Sequence, residues 1–193
     1  MKTIEIQDVG IDADIHPLIK QRWSPRSFSD KRIPESLLRE IFTAASWAPS
    51  AMNAQPWHYV YAVNGTSGFI KLWSALNVGN QPWARNAPVI FAAFYRQNYR
   101  INGKPNRAAM HDLGMANANL LFEATSKGIY GHLIGGFDPE KLSKELEPDS
   151  DLTPFLMGVL GYPGNPDQLE EPYRSRELRP RTRFKFEEFV HRL

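Results

Sequence analysis

In PESLLREIFTAAS (34–46) the apolar positions recur at helical spacing. Leu37, Leu38, Ile41, Phe42 and Ala45 share one face, and Pro34 suits the first helical position. Pro49 forbids continuation, so APSAMNAQPW (48–57) reads as a loop. HYVYAV (58–63) is aromatic and β-branched and is followed by Asn64-Gly65, which predicts a strand ending in a turn. A short helix is expected over 67–76. PVIFAAFY (88–95) is apolar without alternation, the pattern of a strand buried on both faces.

The longest helical pattern runs from Arg107 to Lys127. Gly128 stands where a left-handed cap is wanted, and Gly114, Ala116, Ala118 and Ala124 leave the helix surface smooth enough for a close neighbour. IYGHLI (129–134) and PFLMGVLGY (154–162) read as strands. Between them, Asp138-Pro139 supplies an N-cap and a first-turn proline for a helix to Leu146. From Pro163 to Leu193 the chain is rich in Pro and Arg and shows no helical period before about Phe186, so it is either disordered or laid across something else. There is no internal repeat or linker. The expectation is one α+β domain over 1–193, with helices around one sheet.

Composition narrows the function. A net charge of +2 argues for neither nucleic acid nor an anionic membrane surface. With no cysteine, thiolate nucleophiles, disulfides and sulfur-ligated metals are excluded. No apolar run is long enough to span a bilayer, and MKTIEIQDVGIDADIHPLIK lacks the pattern of a secretion signal, so a cytoplasmic location is expected. No GxGxxG follows a strand and no Walker loop is present; GVLGYPG (158–164) ends a strand without opening a helix. The five histidines lack metal-ligand spacing. His111-Asp112 resembles a base and its orienting carboxylate, but neighbouring helical side chains are expected to point apart. An enzyme built from this sequence would leave its chemistry to a cofactor.

Three clusters remain. RWSPRSF (22–28) sets Arg22 and Arg26 four apart around Ser24. The loop from Pro49 to Trp57 carries Ser50, Asn53 and Gln55 at the end of a helix. RPRTRF (179–184) alternates Arg181 and Arg183. Each has an ordinary reading as a solvated loop end, a proline-punctuated turn or an exposed basic run. Together their chemistry is complementary: guanidinium pairs and a hydroxyl enclose a phosphate, and amides meet the edge of a flat heterocycle.

RWSPRSF, then a helix, then PSAMNAQPW resembles the N-terminal signature of the nitroreductase-like flavoproteins. NQPWARNAPVIF (80–91), DLGMANANLLFEATSKGI (112–129), GGFD (135–138), LGYP (160–163) and the basic element before EEFV (187–190) follow in that family's order. The resemblance implies a nitroreductase-like α+β sandwich: a central, mainly antiparallel sheet flanked by helices, in an intertwined homodimer with an extended C-terminal tail. It implies FMN held by Arg22, Trp23, Ser24, Arg26, Pro49, Ser50, Ala51, Asn53, Asn80, Gly135, Gly136, Arg181 and Arg183. In that picture Arg22, Ser24, Arg181 and Arg183 meet the phosphate, and Arg26 and Asn80 meet the ring. The Pro49–Asn53 loop comes from the partner subunit, and Gly135-Gly136 lie near N5. No protein side chain is then catalytic and no metal is needed. Hydride would pass from NAD(P)H through flavin N5 to a nitroaromatic, quinone or related acceptor by ping-pong exchange.

The chain departs from the family pattern at Trp23, at Leu133 and Gly135, and in lacking an evident second lysine near the pyrimidine edge. Reductive dehalogenation or dehydrogenation on the same fold, and flavin sensing or storage without turnover, are the alternatives. The short segment between Tyr95 and Arg107 argues against an elaborate lid. RSRELRPRTRFK (174–185) lacks the aromatic interleaving of a nucleic-acid surface.

Overall fold

A computed structural model describes residues 13–193. The reading of the N-terminus as free of a secretion signal falls largely on residues 1–12, outside the described residues. The helices are α1 (Pro17–Gln21), α2 (Glu35–Ala45), α3 (Ser67–Ser74), α4 (Gln81–Ala84), α5 (Ala109–Ser126), α6 (Pro139–Leu146) and α7 (Tyr173–Glu177). The strands are β1 (Trp57–Val63), β2 (Val89–Arg96), β3 (Tyr130–Ile134) and β4 (Leu152–Gly161). The strands form one antiparallel sheet in the order β1-β2-β4-β3, so β1 and β3 are its edges. The expected α+β sandwich with an antiparallel sheet is what the chain adopts.

Strand β2 explains the two-sided layout. Ile90, Ala92 and Phe94 enter one core with Phe69, Leu72 and Trp83 from α3 and α4. Val89, Phe91 and Ala93 point the other way, into a second core with Leu38 and Ile41 of α2 and Leu113, Ala116 and Leu120 of α5. All six strand residues are fully buried, as the unbroken apolar run requires. Burying a large side chain of this kind contributes roughly 1.5–3 kcal/mol. Gly158 of β4 lies under the Phe91 ring, where a Cβ would collide with it.

Local signals act as their chemistry demands. Asp138 accepts the Lys141 N–H at 2.9 Å and caps α6. Gly128, at φ +70°, ends α5 in a Schellman turn in which Ile129 N–H donates to the Ala124 carbonyl at 2.9 Å. Pro34 does not open α2 as expected. It precedes the first helical residue, and its carbonyl receives the N–H groups of Leu37 and Leu38 at 3.0 and 3.1 Å. Three short helices that the sequence pattern did not predict, α1, α4 and α7, span four or five residues each, too few for periodicity to show. No helix among the described residues is long and apolar enough to cross a membrane.

Candidate functional site

The segment joining α1 to α2 lies along edge strand β3 and carries Arg22, Trp23, Ser24 and Arg26. Trp23 packs edge-on against Tyr130 at the start of β3, with ring centroids 6.2 Å apart. One strand step pair further, the His132 ring meets the Pro25 carbonyl at 2.9 Å. A carbonyl only accepts, so Nδ1 carries the proton and Nε2 is left with its lone pair. The same ring lies 4.6 Å from Trp83 of α4, and the Arg26 guanidinium sits 5.9 Å from the Trp83 ring on the cation–π side. Beyond the strand, Asn80 Nδ2 donates to the Gly136 carbonyl at 3.0 Å. A Cβ on Gly136 would come within 2.7 Å of that amide nitrogen, so only glycine permits the approach, whereas Gly135 faces open space. Strand β3 is therefore the spine along which Arg22, Ser24, Arg26, Asn80, Gly135 and Gly136 are strung.

The tail completes the arginine end. Arg181 Nη1 donates to the carbonyls of Lys20 and Arg22 at 2.8 and 3.2 Å. One of its nitrogens is thus committed to backbone, and it is half-buried against the segment, while Arg183 is exposed. Among the described residues the Arg22 side chain has only a long contact, 3.4 Å from Nη1 to Ser24 Oγ. Its pKa is lowered by burial and then by the charges of Arg183 and Arg181; that of Arg181 is lowered by burial and by Arg183. Guanidinium stays protonated regardless, so these shifts record three cations held together. None of the ion pairs among the described residues includes any of the three. A phosphate is the ligand such a set fits.

Arg26 differs. Burial lowers its pKa most, Glu177 opposes the shift and Arg176 adds to it. Beside these arginines His132 is pushed down to about 4, mainly by burial, with Arg26 and Arg22 contributing against its hydrogen bonds to backbone. It is neutral at physiological pH. Neither His132 nor Glu177 was signalled by the sequence; each stands alone, and its hydrogen-bond partners lie more than a hundred residues away.

The remaining predicted residues belong to a second locality. Ala51 N–H donates to Asp112 Oδ2 at 3.0 Å on the first turn of α5, and Gln55 N–H donates to Ser50 Oγ at 3.0 Å. Met52, Asn53 and Gln55 have φ of 54°, 52° and 46°. Left-handed backbone at non-glycine residues costs on the order of 1–3 kcal/mol each and clusters at functional loops. Asp112 is buried, and contrary to expectation it also meets His111, Nδ1 to Oδ1 at 3.2 Å; the pair braces the loop. Tyr130 lies beyond the other end of α5, a helix of 18 residues and so roughly 27 Å long. Within one chain no side-chain hydrogen bond among the described residues joins the Pro49–Gln55 loop to the arginines. Nor do the described residues contain a cluster of three or more His, Asp or Glu able to hold a metal.

With this geometry in view, comparison with known proteins defines the class. The model of the nitroreductase family matches residues 19–68 and 66–162, and the chain belongs to that family. A crystal structure described as an oxidoreductase containing FMN superposes with a TM-score of 0.90 at 28% identity, covering 95% of this chain and 93% of the other. Among curated relatives, a Streptomyces coelicolor protein provisionally named NADH dehydrogenase/NAD(P)H nitroreductase is 28% identical over 163 residues, 75% of this chain and 80% of its own. A Methanothermobacter thermautotrophicus protein with the same provisional name is 29% identical over 167 residues, 83% of each chain.

Proposed function

We propose that the protein is an FMN-dependent NAD(P)H oxidoreductase that reduces nitroaromatics, quinones or related acceptors. It is an oxidoreductase of the nitroreductase family, and a structure described as an FMN-containing oxidoreductase superposes on nearly its whole length. The observation that carries the reading is the trio Arg22, Arg181 and Arg183 at one end of β3, without an ion-pair partner among the described residues, with Asn80 and the Gly135-Gly136 ledge at the other. An elongated ligand with an anionic head and a flat polar ring fits that order. Arg22, Ser24, Arg181 and Arg183 bind the phosphate, and Trp23 backs them against Tyr130. Arg26 sits where a cation favours negative charge on the pyrimidine edge, and Asn80 orients the ring beside Gly135 and Gly136. FMN, when bound, supplies the hydride exchange between nicotinamide and acceptor. The protein's share is positioning and electrostatics, and no side chain acts as nucleophile.

The loop residues Pro49, Ser50, Ala51 and Asn53 serve the same site in a second copy of the chain. Supporting this, the loop end and tail expose large apolar side chains: Trp47 82%, Met52 75%, Phe184 78% and Phe189 65%. A homodimer would cover such surface.

The first test is the absorption spectrum of the purified protein, followed by stopped-flow mixing with NADPH. A flavin spectrum that bleaches on a catalytic timescale supports the reading; a flavin that NADPH and NADH leave oxidised points to a sensor. A colourless protein that FMN does not restore removes the reading altogether. Mixing Arg22→Ala with Asn53→Ala protein tests the shared site. Both lesions then fall on one site of the mixed dimer, and half the activity returns. Two inactive variants that never complement after confirmed subunit exchange exclude it.

A further inference from the structure

The backbone between α1 and α2 is gripped from two sides by residues that present nothing to an FMN phosphate. From the tail, Glu177 Oε2 accepts the Arg26 N–H at 2.7 Å and Oε1 accepts the Ser27 N–H at 3.1 Å. From β3, His132 Nδ1–H donates to the Pro25 carbonyl at 2.9 Å, with its ring braced on Trp83. Three consecutive residues are thus fixed in both their donors and their acceptor. Glu177 is only 7% exposed, and among the described residues it has no ion-pair partner; the two N–H groups and the field of Arg26 hold its charge. A buried carboxylate is costly to desolvate, but it satisfies two backbone donors that an apolar contact would leave unpaired. What the carboxylate adds is a fixed geometry for the peptides on either side of Arg26, at the end of the segment that also carries Arg22. Four residues further along the tail, Arg181 grips the carbonyls of Lys20 and Arg22, so the tail reads the segment's N–H groups with one residue and its carbonyls with another.

We propose that Glu177 and His132 are positioning residues for the cofactor site: they clamp Pro25–Ser27 from opposite sides and so fix where Arg22 and Arg26 point. The role rests on the FMN reading above. Around Glu177 stand Arg26 on the clamped segment, Arg176 on its own helix and, across the segment, His132 with Arg22 beside it. Burial raises the Glu177 carboxyl above its ordinary range, against the pull of both N–H bonds and Arg26. Protonation then removes acceptor strength from the clamp as pH falls.

The test is fluorescence titration of apo-protein with FMN between pH 5 and 8, with circular dichroism of each variant as a folding check. Glu177→Gln offers one oxygen and turns an amide donor toward an N–H, so the FMN dissociation constant rises roughly tenfold to a hundredfold at pH 8. The ratio of variant to wild type shrinks toward one as pH falls, because protonated Glu177 resembles glutamine; FMN's own phosphate titration cancels in that ratio. His132→Leu removes the donor and weakens FMN by about tenfold, while His132→Asn, whose amide can replace Nδ1–H, returns binding close to wild type. If Glu177→Gln does not fold, the leucine and asparagine pair decides alone: loss with rescue supports the clamp, and equal loss or no loss in both overturns it. Glu177→Gln and His132→Leu binding FMN within twofold of wild type, while Arg22→Ala binds weakly, overturns the clamp and leaves the FMN site standing. Wild-type protein that does not bind FMN at all overturns both.

Discussion

Two arginine-rich regions of this molecule are built on opposite plans. At the end of β2, Arg96 meets Asp151 at 3.0 Å and Asp149 at 3.2 Å, and Asn98 Nδ2 donates to Asp151 at 2.6 Å. Asp149 is held below its ordinary carboxylate range by the Asp151 backbone N–H and then by Arg96. The region lines an open polar cleft of about 540 Å³ together with Tyr99 and Arg100, yet the charge of its central cation is already saturated by two carboxylates, with only Nε left unbonded. Along β3, by contrast, Arg22, Arg181 and Arg183 repel one another, and among the described residues no carboxylate is paired to them. Cleft volume alone does not mark a binding site. What marks a site is charge the protein has declined to neutralise.

That contrast can be broken most forcefully at the tail. Truncation before Pro180 removes Arg181 and Arg183 together with the apolar arm, and the protein is expected to lose FMN and dissociate, while the Arg96 cleft stays intact. Absorbance after desalting and light scattering on a sizing column check this, and a truncated protein that stays yellow and dimeric refutes it.

Next in size is the effect of pH at His132. Its folded pKa of about 4 lies below the ordinary 6.5, so as pH falls the unfolded chain takes the proton first. Stability is full above pH 6.5 and declines by about 1.4 kcal/mol per unit, reaching about 3 kcal/mol at pH 4. Urea titrations of wild type and His132→Asn across that window should diverge in this way; parallel curves would show that the histidine is not held neutral by its surroundings.

Arg22→Ala against Arg96→Met sharpens the comparison directly. The first should weaken FMN binding by ~1.5–3 kcal/mol with little change in melting temperature. The second should lower the melting temperature by several degrees and leave FMN affinity alone. Reversed outcomes would mean that the saturated cleft is the functional one. Arg183→Ala should show the smallest effect, at most ~1 kcal/mol of FMN affinity and one sensitive to salt, because that side chain is exposed.

The scaffold was largely legible in the sequence. The apolar run of β2, the face of α2, Gly128 after α5 and the Asp138-Pro139 start of α6 each act through contacts within a few residues, which is why pattern reading reaches them. The motifs around Arg22, Asn80, Gly136 and Arg181 were legible as a resemblance, and the fold does bring these residues to β3. What escaped is long-range or short-lived in sequence. Helix α7 spans five residues and carries Glu177, whose bonds close over 150 and 151 positions. His132 looked like one scattered histidine among five. The contact between His111 and Asp112 escaped for a different reason: helix geometry says where Cβ atoms point, not where a flexible carboxylate also bonded to Ala51 will turn.

The burial of β2 has a kinetic side. Its amides lie between two cores, so their hydrogens should exchange with solvent only when the whole sheet opens, whereas the stretch from Arg179 to Leu193 is almost wholly exposed and can peel away alone. The site on β3 joins these extremes, since Arg22 is anchored beside the sheet and Arg181 arrives on the tail. Transient detachment of the tail would strip Arg181 and Arg183, two of the four groups proposed for the phosphate, without disturbing either core. The residence time of a ligand there would be timed by fraying of the chain's end, and proteases cutting near Pro180 would act as a clock for the same event.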